Sequence, residues 1–92
     1  MKKHLLIFGK VQGVGFRYWL YEKAIKKNMR GFVKNRTSGE VEALLIGEDD
    51  DVNEIIKKCE NGGPLSSNVI QVKIQDYKQE YSKKSFDILS SN

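Results

Sequence analysis

The sequence predicts an α+β fold in which two helices cover one face of a mixed, mainly antiparallel sheet. Three observations lead to this prediction. Two segments have helical periodicity, and each lies between strand-like segments. A β-hairpin pattern separates the two helices, so the elements follow the order β-α-β-β-α-β. The length of 92 residues suits one hydrophobic core, and we expect residues 1–92 to form a single domain.

The first three elements are a strand, a helix and a strand. Residues 3–9 are mostly apolar and predict the first strand. Residues 16–28 predict a helix, and Asn28 can adopt the left-handed conformation that ends it. Residues 29–35 alternate between apolar and polar side chains and predict the second strand. The stripe along one face of the helix consists of Phe16, Leu20, Ala24 and Lys27.

A turn and a third strand complete the hairpin. Residues 36–39 are turn-like, and Gly39 is available for a positive φ. Residues 40–47 alternate at first, so residues 29–47 are predicted to form a β-hairpin.

The second helix is predicted to begin within residues 49–51. Asp51 and Glu54 have the spacing of a capping box, with Asp in place of Ser or Thr. The run Gly-Gly-Pro at residues 62–64 ends the helix. Its apolar stripe consists of Val52, Ile55, Ile56 and Cys59.

Two further strands follow. Residues 68–77 predict a strand with Ile70, Val72 and Ile74 on one face, and residues 85–89 predict a short extra C-terminal strand. Two helices on one face of such a sheet make the split βαβ, ferredoxin-like sandwich. Because each crossover is right-handed, we expect a parallel pair of strands in the centre of the sheet.

The net charge of +4 is unevenly distributed. Residues 1–47 carry ten Lys or Arg and three Asp or Glu, whereas residues 48–92 carry six and nine. The basic half would attract a small anionic substrate and, more weakly, nucleic acid. No apolar run is long enough to span a membrane, and no secretion signal is expected. Cys59 is the only cysteine, so no internal disulfide forms and a cytoplasmic location is expected.

The most informative stretch is Gly9-Lys10-Val11-Gln12-Gly13-Val14-Gly15-Phe16-Arg17, between the first strand and the first helix. Glycines at 13 and 15 allow several backbone amides to face one concavity, and such nests bind anions. Arg17 falls in the first turn of the helix, where a cation gains nothing from the helix dipole but matches a bound phosphate. The stretch lacks the endings of a P-loop and of a dinucleotide fingerprint. A tight connection with an exposed arginine explains the same residues equally well.

Asn35 lies where the second strand enters its turn. Its amide carries both donors and an acceptor and is able to hold a water molecule. Taken alone, the position favours an ordinary turn-forming asparagine.

Two patterns together resemble the signatures of the acylphosphatases. They are Gly-x-Val-Gln-Gly-Val-x-Phe-Arg at 9–17 and Gly-x-Val-x-Asn-x-x-x-Gly-x-Val-Glu at 31–42. Gly63-Pro64, followed by Val69 and Val72, is similar to the start of that family's fourth strand, so the resemblance runs over essentially the whole chain.

The resemblance implies an enzyme without metal or other cofactor that hydrolyses the carboxyl-phosphate bond of small acyl phosphates. It places Arg17 on the phosphate-binding arginine and Asn35 on the asparagine that positions the attacking water. It also implies that a substrate oxygen accepts the proton of that water. The implied backbone cradle for the phosphate consists of Gln12, Gly13, Val14, Gly15, Phe16 and Arg17.

The rest of the chain lacks catalytic groups, and the chemistry of an acyl phosphate tolerates this. The leaving carboxylate has a pKa of about 4, so no general acid is needed. His4 is expected to be exposed or structural, and Cys59 to pack in the core. The acidic residues 49–51 suit a helix N-terminus, and no cluster has metal-ligand spacing.

Two alternatives from other classes remain. The fold class also hosts RNA-recognition domains, and residues 30–33 begin like their signature, but residues 35–37 do not continue it. A small-ligand or regulatory domain without catalysis is the second alternative. We expect a monomer without a membrane or nucleic-acid partner. Neither the physiological acyl group nor the contact of Arg36 with substrate follows from the sequence, and packing or surface positions are favoured for Tyr18, Trp19 and Tyr21.

Overall fold

The strands and helices follow one another in the predicted order in the computed structural model, which describes residues 1–91. Their bounds differ from the predicted ones by no more than two residues. The elements are β1 (Lys2–Lys10), α1 (Phe16–Lys26), β2 (Arg30–Asn35), β3 (Val41–Ile46), α2 (Asp49–Glu60), β4 (Asn68–Asp76) and β5 (Phe86–Ile88).

The five strands form one mixed sheet in the order β4-β1-β3-β2-β5. The expected parallel pair in the centre is wrong, because β3 pairs antiparallel with both β1 and β2. The first crossover does make β1 and β2 parallel, but β3 inserts between them and separates them. The parallel neighbours are β2 and β5, at the edge of the sheet. The sheet is therefore mainly antiparallel, as predicted.

The predicted stripe of α1 lies against the sheet. Phe16, Leu20 and Ala24 are buried in the core with the inward-facing residues of the central strands. The helix ends at Lys26, and Asn28 adopts φ 55°, as its predicted role in ending the helix requires. The amide of Met29 donates to the carbonyl of Ala24 at 3.0 Å. This closing of the helix directs the chain into β2.

The predicted capping box of α2 is wrong. The helix begins at Asp49, its N-cap is Glu48, and no side chain caps it. Asp51 therefore lies inside the first turn, past the position from which a cap reaches the free amides. Asp51 and Glu54 instead bind Lys27, whose Nζ lies 3.5 Å from an Asp51 oxygen and 3.1 Å from a Glu54 oxygen. The acidic pair thus links the two helices.

A β-bulge changes the face that β4 presents to the core. Phe8 pairs with Gln71 and Gly9 with Val69, so Ile70 has no partner on β1. Val69 packs against the core, whereas Ile70 is 77% exposed. The prediction that Ile70 shares a face with Val72 and Ile74 is therefore wrong, because the extra residue reverses the alternation.

The segment after β4 crosses the sheet on the face opposite the helices. Lys2 Nζ donates to the carbonyl of Gln79, and Arg30 Nη1 donates to the carbonyls of Tyr81 and Lys83 at 3.0 and 3.1 Å. The ring of Tyr81 lies against that of Phe32, at 6.4 Å between centroids. This crossing brings β5 to the edge next to β2. Within residues 1–91, no helix is long and apolar enough to cross a membrane.

Candidate active site

The connection between β1 and α1 is shaped by two glycines in the left-handed region. Gly13 has φ 72°, and Gly15, the N-cap of α1, has φ 80°. A Cβ added at either position would meet no atom within 4 Å. The dihedral angle, and not a lack of space, therefore favours glycine at both positions. Left-handed residues that alternate with a residue of negative φ, here Val14, direct successive amides into one concavity.

The amides of this loop and of the first helical turn are available to a ligand. Among residues 1–91, the backbone amides from Gly13 to Tyr18 have no backbone acceptor, and Trp19 is the first to donate, to the carbonyl of Gly15 at 3.0 Å. The first turn of α1 contains no acidic side chain, so nothing in it neutralises the positive end of the helix. A phosphate-sized anion suits this environment.

Arg17 differs from the two other arginines of the chain in its surroundings. Arg30 donates to two backbone carbonyls. Arg36 pairs with the carboxylates of Glu40 and Glu42, at 3.6 and 3.1 Å. Among residues 1–91, Arg17 has no such partner, and its side chain lines a cavity beside the glycine loop. Its charge is therefore available to a ligand in that cavity.

Asn35 brings a second free polar group to the same cavity. It is the last residue of β2 and pairs with Val41 across the hairpin. Its Oδ1 is buried and has no hydrogen-bond partner among residues 1–91. A buried acceptor without a partner costs about 1–3 kcal/mol, and such groups are rare unless they have a role. The Oδ1 is thus suited to accept a hydrogen bond from a bound water.

The cavity that joins these groups has a volume of about 260 Å³. Arg17 and Asn35 reach it from two different elements, so the fold brings together the two predicted site side chains. Phe16 and Val11 are almost fully buried and border it on the core side. The lining residues are Val11, Gly13, Gly15, Phe16, Arg17, Tyr18, Asn35 and Ile88.

Gln12 uses its side chain to connect the glycine loop with the hairpin. Its Nε2 donates to the carbonyl of Arg36 at 2.8 Å and to the carbonyl of Glu40 at 3.0 Å. These carbonyls flank the turn that follows Asn35, in which the amide of Arg36 donates to Glu40 O. The side chain of Gln12 therefore fixes the distance between the loop and the strand end that carries Asn35. A contribution of its backbone amide to the phosphate cradle stays a prediction.

A charged cluster lies on the other face of the sheet. Glu42 Oε2 accepts from His4 Nε2 at 2.7 Å, and Lys34 and Arg36 lie near the same carboxylate. Partial burial raises the pKa of Glu42, but the hydrogen bond from His4 and the two cations outweigh it and hold the pKa below its usual range. His4 thus has a structural partner and lies apart from the cavity, as expected.

The structure also shows where Cys59 and the aromatic residues at the start of α1 lie. Cys59 is buried on α2, and burial raises the pKa of its thiol to about 12. Trp19 packs against Phe16 at 5.3 Å between ring centroids and does not line the cavity. Tyr18 is a surface residue, 60% exposed, as favoured from the sequence, and it also lines the cavity. Ile88 was not predicted to be a site residue. Its strand was predicted, but the sequence does not indicate that this strand joins the sheet beside β2.

Known proteins are similar to this chain in sequence and in structure. The acylphosphatase family model matches residues 3–88. The acylphosphatase of Moorella thermoacetica is 37% identical over 91 residues, which cover 99% of this chain and 96% of that protein. The acylphosphatase of Acidiphilium cryptum is 44% identical over 64 residues, 70% of each chain. The crystal structure of acylphosphatase from Bacillus subtilis superposes with a TM-score of 0.86 and 32% identity, covering 96% of this chain and 97% of that one.

Proposed function

The chain belongs to the acylphosphatase family and hydrolyses acyl phosphates, and we propose that Arg17, Asn35 and the amides of residues 12–17 carry out this reaction. One observation carries the proposal. Arg17, whose guanidinium has no protein partner among residues 1–91, and Asn35, whose buried Oδ1 is unpaired among the same residues, line the same cavity as the glycine loop. The first group suits an anion and the second suits a water molecule, which are the two reactants of the hydrolysis.

The phosphoryl group binds to the loop amides and to Arg17. In phosphoryl transfer the charge spreads over three equatorial oxygens, so catalysis depends on positioning and on donors that are already in place. The backbone amides from Gly13 onward supply such donors without reorganisation, and the fork of Arg17 binds two oxygens together. Loss of one preorganised donor typically costs about 3 kcal/mol in the transition state.

The attacking water is held by Asn35. The Oδ1 accepts a hydrogen bond from one O–H of the water, whose proton stays on the water oxygen, and so directs a lone pair of that oxygen towards phosphorus. The new P–O bond forms as the bond to the acyl oxygen breaks, and the carboxylate leaves with the electron pair. A phosphoryl oxygen of the substrate takes the remaining proton. Holding the two reactants in this geometry replaces a bimolecular encounter and supplies several kcal/mol.

No side chain is needed to protonate the leaving group. A carboxylic acid has a pKa of about 4, so the carboxylate is a stable leaving group at neutral pH. This accounts for a site made of one arginine, one asparagine and backbone amides.

We further propose that residues 1–92 act as one domain and as a cytoplasmic monomer, without a metal ion or other cofactor, on a small acyl phosphate. Neither a membrane nor a nucleic acid is a partner in this proposal. The single buried cysteine agrees with a reducing compartment. Sedimentation equilibrium tests the monomer, and benzoyl phosphate hydrolysis in excess EDTA tests the absence of a metal. A dimer, or loss of turnover with EDTA, would contradict these points.

Steady-state kinetics test the two roles. Arg17→Ala is expected to lose turnover by at least about 100-fold and also to lose competitive inhibition by inorganic phosphate. Asn35→Ala is expected to lose turnover while phosphate inhibits it as in the unmodified protein. Arg30→Ala is the control, since its guanidinium binds carbonyls away from the cavity, and it should keep both properties. Loss of phosphate inhibition in both site variants alike would rule out the division of roles.

A further inference from the structure

We infer that a groove beside the phosphate cradle, lined mainly by aromatic and aliphatic residues, binds the acyl group of the substrate and selects uncharged, apolar acyl groups. The inference rests on the proposed function, because it assumes that the phosphoryl group occupies the cavity at Arg17. The groove, called the acyl groove below, has a volume of about 390 Å³. It is lined by Tyr18, Tyr21, Phe86, Asp87 and Ile88.

The acyl groove adjoins the cavity that is lined by Arg17 and Asn35. Tyr18 and Ile88 line both spaces, so these two side chains form the boundary between them. In an acyl phosphate, a single bridging oxygen separates phosphorus from the acyl carbon. A phosphoryl group in the cavity at Arg17 therefore leaves the acyl group close to Tyr18 and Ile88, which line that cavity as well as the groove.

Aromatic and aliphatic residues make up four of the five residues that line the groove. The rings of Tyr18 and Tyr21 stack at 6.0 Å with an interplanar angle of 28°, and Tyr21 contacts Phe86 at 6.4 Å. Phe86 is anchored in the core. Tyr18 is 60% exposed and Ile88 is 38% exposed, so both side chains offer surface to a ligand. A stacked row of rings offers a large apolar surface at a small cost in side-chain entropy.

The charges around the groove disfavour an anionic acyl group. No lysine, arginine or histidine lines it, and Asp87 is the only charged residue among those that do. An acyl group with a carboxylate or a second phosphate would lose hydration there and gain no cation in return. An aromatic or branched apolar acyl group, by contrast, is covered by Tyr18 and Ile88. The selectivity thus comes from the groove, whereas the cradle recognises the head group that all acyl phosphates share.

The test compares the substrate selectivity of each variant with that of the unmodified protein. Each selectivity is a ratio of kcat/KM values for two substrates, and comparing these ratios between proteins cancels the intrinsic reactivities of the substrates. The measured quantity is kcat/KM for benzoyl phosphate over kcat/KM for acetyl phosphate. Tyr18→Ala is expected to lower this ratio about tenfold and Ile88→Ala about threefold. The change should come mainly from a higher KM for benzoyl phosphate. Inhibition by inorganic phosphate should persist in both variants, which shows that they are folded.

Two further variants sharpen the test. Ile74→Ala is the matched control, because Ile74 is 40% exposed and lies on the opposite edge strand; its ratio should equal that of the unmodified protein. Ile88→Lys introduces the missing cation and should raise kcat/KM for succinyl phosphate relative to acetyl phosphate by up to about fivefold.

Different results would contradict the acyl groove and the proposed function. Hydrolysis of benzoyl and acetyl phosphate with a ratio that stays within twofold in both Tyr18→Ala and Ile88→Ala would overturn the acyl groove and leave the proposed function intact. If Arg17→Ala hydrolyses both substrates at the rate of the unmodified protein, the proposed function itself fails.

Discussion

At the scale of single residues, the site depends on groups that the protein leaves without partners. The guanidinium of Arg17 and the Oδ1 of Asn35 each give up a contact that would stabilise the folded chain. The other two arginines do form such contacts. The positive φ of Gly13 and Gly15 is a further example, because it strains most residues other than glycine and orients the loop amides towards the cavity.

Gly15→Ala tests this arrangement of the loop. The φ of 80° should make alanine less stable than glycine by about 1 kcal/mol, and the strain should turn the loop amides away from the phosphate. We expect inhibition by inorganic phosphate to weaken about tenfold or more.

Gly62→Ala is the matched control for Gly15→Ala. Gly62 also has a positive φ, 118°, and open space around its missing Cβ, but it lies after α2. The two variants should lose similar free energies of unfolding, measured by urea denaturation, and only Gly15→Ala should lose phosphate binding. Equal phosphate inhibition in both would show that the loop conformation is unimportant.

At the scale of elements, the site needs the β1–α1 loop and the β2–β3 hairpin in one fixed relation. The two hydrogen bonds from Gln12 to the hairpin turn provide it. The resemblance of the two sequence patterns indicated that Arg17 and Asn35 act together, but the patterns contain nothing that shows how the loop and hairpin are held.

Gln12→Ala should therefore lower kcat more than it affects phosphate binding. Without the two bonds, each of which contributes about 1 kcal/mol, the turn after Asn35 moves more freely and the water is less well directed. We expect kcat to fall about tenfold while inhibition by phosphate changes less than twofold. Faster hydrogen exchange of the Gly39 amide, which donates to Arg36 O at 3.0 Å, would report the loosened turn directly. An unchanged kcat would refute this role of Gln12.

At the scale of the whole molecule, periodicity predicted the order of the elements and most of the core, because apolar stripes such as that of α1 are local signals. Periodicity did not predict the features that depend on contacts between residues far apart in the sequence. The bulge that turns Ile70 outward arises where Gly9 lets β4 approach closely: a Cβ there would lie 2.1 Å from the carbonyl oxygen of Asn68. Asp51 was predicted to cap α2, but it binds Lys27 at the end of α1 and so makes a contact between the helices. Ile88 reaches the cavity only because β5 joins the sheet beside β2.

Charged contacts across the molecule also set its response to acid. Glu42, Glu54 and Asp76 have pKa values below their usual range. Partial burial raises the pKa of Glu42, but the hydrogen bond from His4 and the nearby Lys34 and Arg36 outweigh it. Hydrogen bonds and ion pairs with lysines lower the pKa of Glu54 and of Asp76. A carboxylate with a lowered folded-state pKa stabilises the fold above its ordinary pKa, and this contribution is lost as the pH falls through the folded-state value. The free energy of unfolding should therefore be constant near neutral pH and decline below about pH 4.5. In Glu42→Gln the decline, measured by urea denaturation, should be shallower; an identical slope would contradict the contribution of Glu42.

The central claim is that Arg17 binds the phosphoryl group and Asn35 directs the water. Titration of Asn35→Ala and Arg17→Ala with inorganic phosphate, followed by backbone amide NMR shifts, tests it most directly. The account predicts that Asn35→Ala binds phosphate within about threefold of the unmodified protein, with shifts at Gly13 and Gly15, although its turnover has fallen by about 100-fold. Arg17→Ala should show no saturable shift in the same range. Tight phosphate binding by Arg17→Ala, or its loss in Asn35→Ala, would contradict the account.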